Sequence, residues 1–351
     1  MKPSLVAATV LSTITCAAAA QSSVSIYGIA DAWVGQTRHK AGGPSVGSIG
    51  VVESGGAQAS RWGLRGSEDL GGGLRANFVL EQGISIDSGT VTNVSASAVG
   101  FNRTAFVSLY GPFGELRLGR MLTAFDAMRG STNQLFDSSG FASTGQVWSA
   151  GATAANGLAE VAGSDYLARG NNTVLYATPQ TGPVSASVSF SLGEGATTAK
   201  AAPRMATGHI KYVAGKTRIG YAYQNEKYAT GDNNFHLVSG IYDFGRGRVV
   251  AAFQRQTDER IAGHQKSNEW QVGVDVPLGA ATLSGGLARA VTKDGGGIEV
   301  ADARGMSFLA SYSLSKRTRV YTAFRKLKVT RADGSASLDT TRYGIGLNHN
   351  F

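Results

Sequence analysis

The residues able to do chemistry are scattered in a way that assembles no reaction centre. Gly43-Pro44-Ser45-Val46-Gly47 has the spacing of a nucleophile elbow, but that motif needs a strand turning sharply into a helix, and here it sits in a Gly-rich loop; it is read as chance. The five histidines, His39, His209, His236, His264 and His349, show no paired spacing for zinc, and the one cysteine, Cys16, cannot help them. Ser239 lies near His236 without forming a hydrolase motif. No phosphate-binding loop is present, and the glycine triplets at 71–73 and 295–297 read as turn or loop glycines. The residues therefore predict no metal, no cofactor and no catalytic group.

The chain of 351 residues carries a formal charge of +9. Its first twenty residues read as a cleaved export signal: basic Lys2, an apolar stretch from Leu5 to Ile14, and Ala18-x-Ala20 before Gln21. Residues 21–351 form the expected mature domain, with a charge of +8 once Lys2 is gone and no cysteine. A basic exported protein could meet anionic lipid, anionic solutes or nucleic acid, and charge alone does not choose among them. An exported domain of this size without disulfides must gain stability elsewhere. No run of 18 or more apolar residues follows the signal, and mean hydropathy is −0.07, so any membrane crossing is made by strands. Glycine is abundant (48 residues) and proline scarce (7), while 42% of the chain is hydrophobic, which argues for a folded, turn-rich, all-β protein.

Alternation with period two supports this. Between Ser60 and Glu81 the chain reads as a hairpin about Asp69-Leu70-Gly71-Gly72-Gly73. Trp62 and Leu64 share one face and Arg61, Gly63 and Arg65 the other; on the return strand Leu74, Phe78 and Leu80 oppose Arg75, Asn77 and Glu81. Further tight connections are expected at 111–114, 181–183, 214–216, 244–247, 277–280 and 314–317. Longer polar stretches lie near 38–57, 85–100, 122–169, 194–205, 227–233, 258–267, 291–303 and 331–338. Seven short turns alternating with eight long loops predict sixteen strands, an even number with both termini at one end, as in a closed barrel. Clear strands are expected at Val24 to Gln36, Val184 to Leu192, Val249 to Asp258, Ala281 to Ala290 and Tyr343 to Phe351, close to the length that crosses a bilayer. Tyr110, Tyr176, Tyr212, Tyr242, Phe244, Trp270 and Tyr312 fall near strand ends, where they could form interfacial girdles or pack as ordinary sheet residues. The segment from Asn102 to Tyr110 is apolar on both faces, and its orientation stays open.

Several segments together resemble the general diffusion porins of Gram-negative bacteria, nearest to the β-proteobacterial branch and over the whole mature chain. They are 23–32 (Ser-Val-Ser-Ile-Tyr-Gly-Ile-Ala-Asp-Ala), 60–74 (beginning Ser60-Arg61-Trp62-Gly63), Leu116-Arg117-Leu118-Gly119-Arg120, Leu314-Ser315-Lys316-Arg317-Thr318 and terminal Phe351. The resemblance implies an all-β, sixteen-stranded antiparallel transmembrane barrel in the outer membrane, assembled as a homotrimer, with its third long loop (122–169) folded inward. It implies contact with outer-membrane lipid and lipopolysaccharide, passage of small solutes and inorganic ions, no nucleic-acid partner, and recognition of Phe351 by the barrel assembly machinery. In the family, wall arginines face acids on the inward loop. Motif by motif these are Arg61, Arg120 and Arg169 here, with Arg65, Arg75 and Arg103 as second-rank candidates. Many relatives carry Pro-Glu-Phe-Gly-Gly at the loop tip where this chain has Leu135-Phe136-Asp137-Ser138-Ser139-Gly140; Asp137 is the expected substitute, with Asp126 and Asp165 also in the loop. With Arg129 there too, positive charge should exceed negative, which predicts a mild anion preference. Three functions remain to be separated: a general diffusion channel, a channel dedicated to an anion such as phosphate or an organic acid, and a barrel enzyme, which would need a Ser-His constellation.

Overall fold

The computed structural model describes residues 23–41, 46–92, 100–131, 166–193, 204–260, 263–332 and 337–351. The expected export signal and most of the 122–169 loop, Asp137 and Asp165 included, lie outside them. The described chain is almost wholly antiparallel sheet: β1 (Ser23–Ala41), β2 (Val46–Ser54), β3 (Arg61–Gly71), β4 (Leu74–Gly83), β5 (Thr104–Gly111), β6 (Gly114–Leu122), β7 (Arg169–Ala177), β8 (Val184–Ser191), β9 (Arg204–Ala214), β10 (Thr217–Tyr228), β11 (Gly231–Asp243), β12 (Arg248–Asp258), β13 (Gln265–Leu278), β14 (Ala281–Lys293), β15 (Glu299–Ser313), β16 (Thr318–Arg331) and β17 (Ser337–Asn350). One helix, α1 (Ala124–Ser131), follows β6.

The sheet closes on itself. From β3 to β17 each strand pairs with its successor, and β17 pairs with β1 through thirteen residues from Ile29↔Asn350 to Ala41↔Leu338. β2 and β3 both pair along one edge of β1, at Ala32–His39 and Ser23–Ile29 respectively, separated by residues 55–60. They occupy one stave of the wall, so seventeen strands make sixteen staves. All seven short connections fall where turn residues predict them, and Gly71, Gly72 and Gly73 supply positive φ at the first.

The burial pattern is inverted relative to a water-soluble protein. On β12 and β13 Phe253, Trp270, Val272 and Val274 are exposed, while Gln254, Gln256, Glu269 and Gln271 are buried. The same alternation on β17 leaves Ile345 and Leu347 outside and Asn348 fully buried. A sheet with an apolar outer face and a polar inner face, and with no open edge, fits a lipid surround rather than water. Of the expected girdle, Tyr176, Tyr212, Tyr242, Phe244 and Tyr312 are exposed near the short-turn rim and Trp270 lies farther up its strand. Tyr110 differs: its partners across the sheet are Arg75 and Glu115, and it alternates with outward Leu109, so it faces the lumen.

Several polar stretches are strand rather than loop. β1 and β2 form a hairpin through 38–54, β14 and β15 extend into 291–303, and the 227–233 stretch is a tight turn between β10 and β11. There Asn225 donates to Asp232 (3.1 Å) and Asn234 (2.8 Å), and Tyr223 to Asn234 (3.0 Å), so side-chain ladders replace apolar packing. β5 is also oriented: Val107 and Leu109 point outward, and Ser108 points inward to the amide of Asn77 (3.3 Å).

Candidate functional site

Four of the predicted arginines meet on the lumen wall formed by β3 to β7. At the start of β3, Arg61 lies 3.4 Å from Glu81 on β4 and donates to the Ala59 carbonyl (3.2 Å). Arg103, just before β5, donates to the other oxygen of Glu81 at 2.6 Å. Tyr27 on β1 adds a hydrogen bond to Glu81 (3.1 Å), and Arg65 lies 5.2 Å over the Tyr27 ring with its Nε on Ser25 (3.3 Å). Gly63 makes this stacking possible: a Cβ there would stand 2.9 Å from the end of the Tyr27 ring and 2.6 Å from the Leu80 carbonyl. The small residue in Ser-Arg-Trp-Gly is thus a seat for an aromatic ring.

Arg120 reaches the site through a break in the alternation. Leu116 and Leu118 face outward, so strict period two would send Arg120 the same way. Gly119 takes φ +138, and the β6–β7 register shifts between Gly119 and Met121, where Arg120 alone stands opposite Asn171 and Asn172; the extra residue is on β7, with Asn172 at φ 50, and the positive-φ glycine lets Arg120 turn toward it. Arg120 then donates from Nε to the Asn102 carbonyl (2.7 Å) and from Nη1 to Asn171. Arg169, across the sheet from Leu122, lies close enough to feel the charges of Arg103, Asp126, Glu81 and Arg120. Arg75 is not in this group. It sits beside the first short turn, opposite Asp69 and Tyr110, near the rim.

The two described ends of the 122–169 loop pack against inward-facing residues. Thr123 caps α1 by accepting the Asp126 amide (3.1 Å), and Asp126 in the first turn and Arg129 in the last suit the helix dipole. The Ala124 amide donates to Thr207 (2.9 Å) and Ser189 (3.2 Å), while His209 donates to the Ala124 carbonyl (2.6 Å). Phe125 and Met128 are fully buried with Ala222, Phe235 and Leu237 of β10 and β11. On the return, the Leu167 amide donates to Glu226 (2.6 Å) and its carbonyl accepts from Gln224 (3.1 Å). Tyr166 donates to Asp126 (2.5 Å) and accepts from Arg129 (2.7 Å), tying one end of the loop to the other. Burial pushes the Tyr166 phenol above its ordinary pKa, further than the Arg129 charge draws it down, and Asp126 adds to the rise; the phenol stays a neutral donor. Arg129 also stacks over the Tyr166 ring (5.2 Å) and feels Asp126 and Glu269, so its charge is engaged in anchoring the helix.

A second polar knot fixes residues 55–60. Buried Asp31 on β1 accepts from the amides of Gly56 (2.9 Å) and Gln58 (3.0 Å), from Tyr321 Oη (2.6 Å) and from Asn348 Nδ2 (2.9 Å). Ala57 is thereby pressed among Trp33, Leu309, Tyr321 and Ala323, just ahead of Arg61. Phe351 closes the seam, exchanging backbone hydrogen bonds with Gly28 at 3.0 and 3.1 Å.

The family resemblance named Arg61, Arg120 and Arg169, with Arg65, Arg75 and Arg103 in second rank, and left Glu81, Tyr27 and Asn102 unassigned. Glu81 had a usable signal, an acid on the polar face of the Arg61 hairpin. Tyr27 and Asn102 join only through the register of strands distant in sequence.

A closed sixteen-stave barrel, apolar outside and lined by charged groups, defines a transmembrane β-barrel channel. The sequence model of the Gram-negative porin family matches residues 7–332, and the chain belongs to that family. It is 35% identical over 288 residues to outer membrane porin protein 32 of Delftia acidovorans, covering 80% of this chain and 77% of that one. An outer membrane porin protein of Bordetella pertussis is 27% identical over the full length of both chains. Among solved structures, an anion-selective porin from Comamonas acidovorans superposes with TM-score 0.74 at 27% identity, over 94% of this chain and all of that one. OmpT of Vibrio cholerae, at 16% identity and TM-score 0.67, shares the fold. The protein is an outer-membrane diffusion channel of a Gram-negative bacterium.

Proposed function

We propose that the pore passes small hydrophilic solutes and ions with a mild preference for anions. The observation that carries this is the charge balance at one stretch of wall: among the described residues, Arg61, Arg103, Arg120 and Arg169 stand together with Glu81 and Asp126 as the acids within their reach. Four guanidinium groups against two carboxylates make the described wall positive there, and basic linings favour anions. Similarity to a porin described as anion-selective supports the same reading. The anchoring of α1 and Tyr166 on inward residues of β8–β11 supports a third loop that folds inward and narrows the pore. In this reading Arg75 lines the entrance rather than the constriction, and Asp137 belongs to the loop's acidic side.

The mature protein begins after residue 20, functions as a homotrimer in contact with outer-membrane lipid and lipopolysaccharide, and is inserted by the barrel assembly machinery through Phe351. It performs no catalysis. The test is the reversal potential of the purified protein in a planar bilayer under a KCl gradient, with Arg61→Ala and Arg120→Ala for comparison. Stepwise conductance favouring Cl⁻, weakened by either change, is expected; a cation preference would overturn the charge argument, and no conductance from folded protein would overturn the channel.

A further inference from the structure

The lumen holds a second group of basic side chains, on the β15–β1 side. Thr37 (β1), Arg342 (β17), Arg325 (β16) and Ser307 (β15) are successive partners in the sheet register, so their side chains form one row on one face. Asn348 and Tyr321, which share that face, are buried, while Ile345, Leu347 and Val320 point to lipid; the row therefore faces the lumen. Between the two groups runs the 55–60 segment, with Ala57 packed on Trp33 and Tyr321.

This row is unusual for what it leaves unmet. Arg325 is 7% exposed, Ser307 4% and Thr37 3%. Among the described residues, Nε and Nη1 of Arg325, Nε of Arg342, Oγ1 of Thr37 and Oγ of Ser307 are buried without a hydrogen-bond partner. Arg342 sets its Nη2 3.3 Å from Glu53 and its guanidinium 5.9 Å from the Trp33 ring. No carboxylate partners Arg325 among the described residues. Two guanidinium groups face each other across neighbouring strands with Glu53 to balance one of them. Like charges directly opposite in a sheet repel, and a buried charge without a partner is costly. An anion between them removes both penalties. The donor set also selects its shape: planar guanidinium forks present paired N–H groups that match two oxygens of one anion, and hydroxyls flank them. That favours an oxyanion over a halide.

We propose that Arg325 and Arg342, flanked by Thr37 and Ser307, form a second anion site that binds a small oxyanion of the phosphate or sulfate class, separate from the arginines of β3–β7. The site rests on the reading of the barrel as a channel, since its ligand arrives through the lumen. Calorimetric titration of the purified full-length protein with phosphate at constant ionic strength tests it, with chloride as the control anion. Saturable phosphate binding is expected, at least tenfold weaker in Arg325→Gln, partly restored in Arg325→Lys, and within twofold of wild type in Arg248→Ala, a residue paired with Asp275 beside the β11–β12 turn. In bilayers, phosphate should lower the KCl conductance of the wild type and leave that of Arg325→Gln unchanged. Equal binding by wild type and Arg325→Gln, or none by folded wild type, would overturn the site. Should Arg325→Gln not fold, Thr37→Val with Ser307→Ala removes both flanking hydroxyls, and unchanged affinity there would overturn it. Saturable binding without conductance would sink the channel and leave the site; conductance without binding would do the reverse.

Discussion

Glu81 is the shared counter-charge of Arg61 and Arg103, at 3.4 and 2.6 Å, so Glu81→Gln tests the pore potential more cleanly than removing an arginine. Glutamine keeps the size and its amide oxygen can still accept from Tyr27 and Arg61, while Arg103 loses the oxygen it now faces; the change subtracts one negative charge. An ion passing about 6 Å away in a water-like dielectric feels a unit charge at about 0.7 kcal/mol. At 0.1 M salt, where the Debye length is about 10 Å, screening leaves about 0.4 kcal/mol. Chloride gains what potassium loses, so the permeability ratio should move toward chloride by roughly fourfold. At 1 M salt the screening length is about 3 Å and the shift should shrink to about 1.4-fold. Reversal potentials at both salts, on protein with normal stepwise conductance, measure this directly. An unchanged or lowered chloride preference at low salt would refute the electrostatic account, and an equal shift at both salts would point to altered pore width.

Tyr166→Phe removes the hydroxyl that accepts from Arg129 and donates to Asp126, which should cost about 1–3 kcal/mol locally; faster hydrogen exchange at residues 124–131 and 166–168, with the barrel strands unchanged, is the expected readout. Asp31→Ala strips five hydrogen bonds, the long one from the Ala57 amide included, from their acceptor and should lower the dissociation temperature on heat-shift gels, and Asp31→Asn should restore part of it. In Gly119→Ala a Cβ would stand 2.2 Å from the Ala105 carbonyl at φ +138, so about 1–3 kcal/mol of stability should be lost, measured as a lower urea midpoint, together with part of the Arg120-dependent selectivity. Deleting Phe351 should reduce insertion in cells more than refolding into detergent, compared by heat-shift gels of both preparations.

How much of this was legible in the sequence depended on where water and lipid meet the chain. Within the bilayer each strand has one apolar and one polar neighbour, so alternation is strong and the seven short turns and sixteen staves can be counted. Above it both faces are wet, and strand ends such as Asn225–Tyr228 and Gly231–Asn234 lose the alternation that marks a strand. They read as loop because their cross-strand contacts are Asn–Asp and Asn–Asn pairs. The 102–110 segment failed for the opposite reason: Phe106 faces the lumen yet is apolar, and its place there is explained by the Arg117 guanidinium 5.1 Å over its ring.

Arg120 shows a different limit. Period-two reasoning places it with Leu116 and Leu118 toward lipid, and family motif alone placed it in the pore. The positive φ of Gly119 and the bulge at Asn171–Asn172 on the facing strand reconcile the two, because together they turn Arg120 toward Asn102 and Asn171. The glycine in Leu-Gly-Arg is therefore part of the electrostatic site although it carries no charge. Arg325 and Arg342 were invisible for a further reason. Each sits on a strand with ordinary spacing and no motif, and only the registers of β15, β16, β17 and β1 bring them level with each other and with two hydroxyls. Charge counting along a chain sees thirty-three basic residues. What distinguishes these two is that the fold sets them opposite one another, Arg325 buried and, among the described residues, Glu53 paired with Arg342 alone.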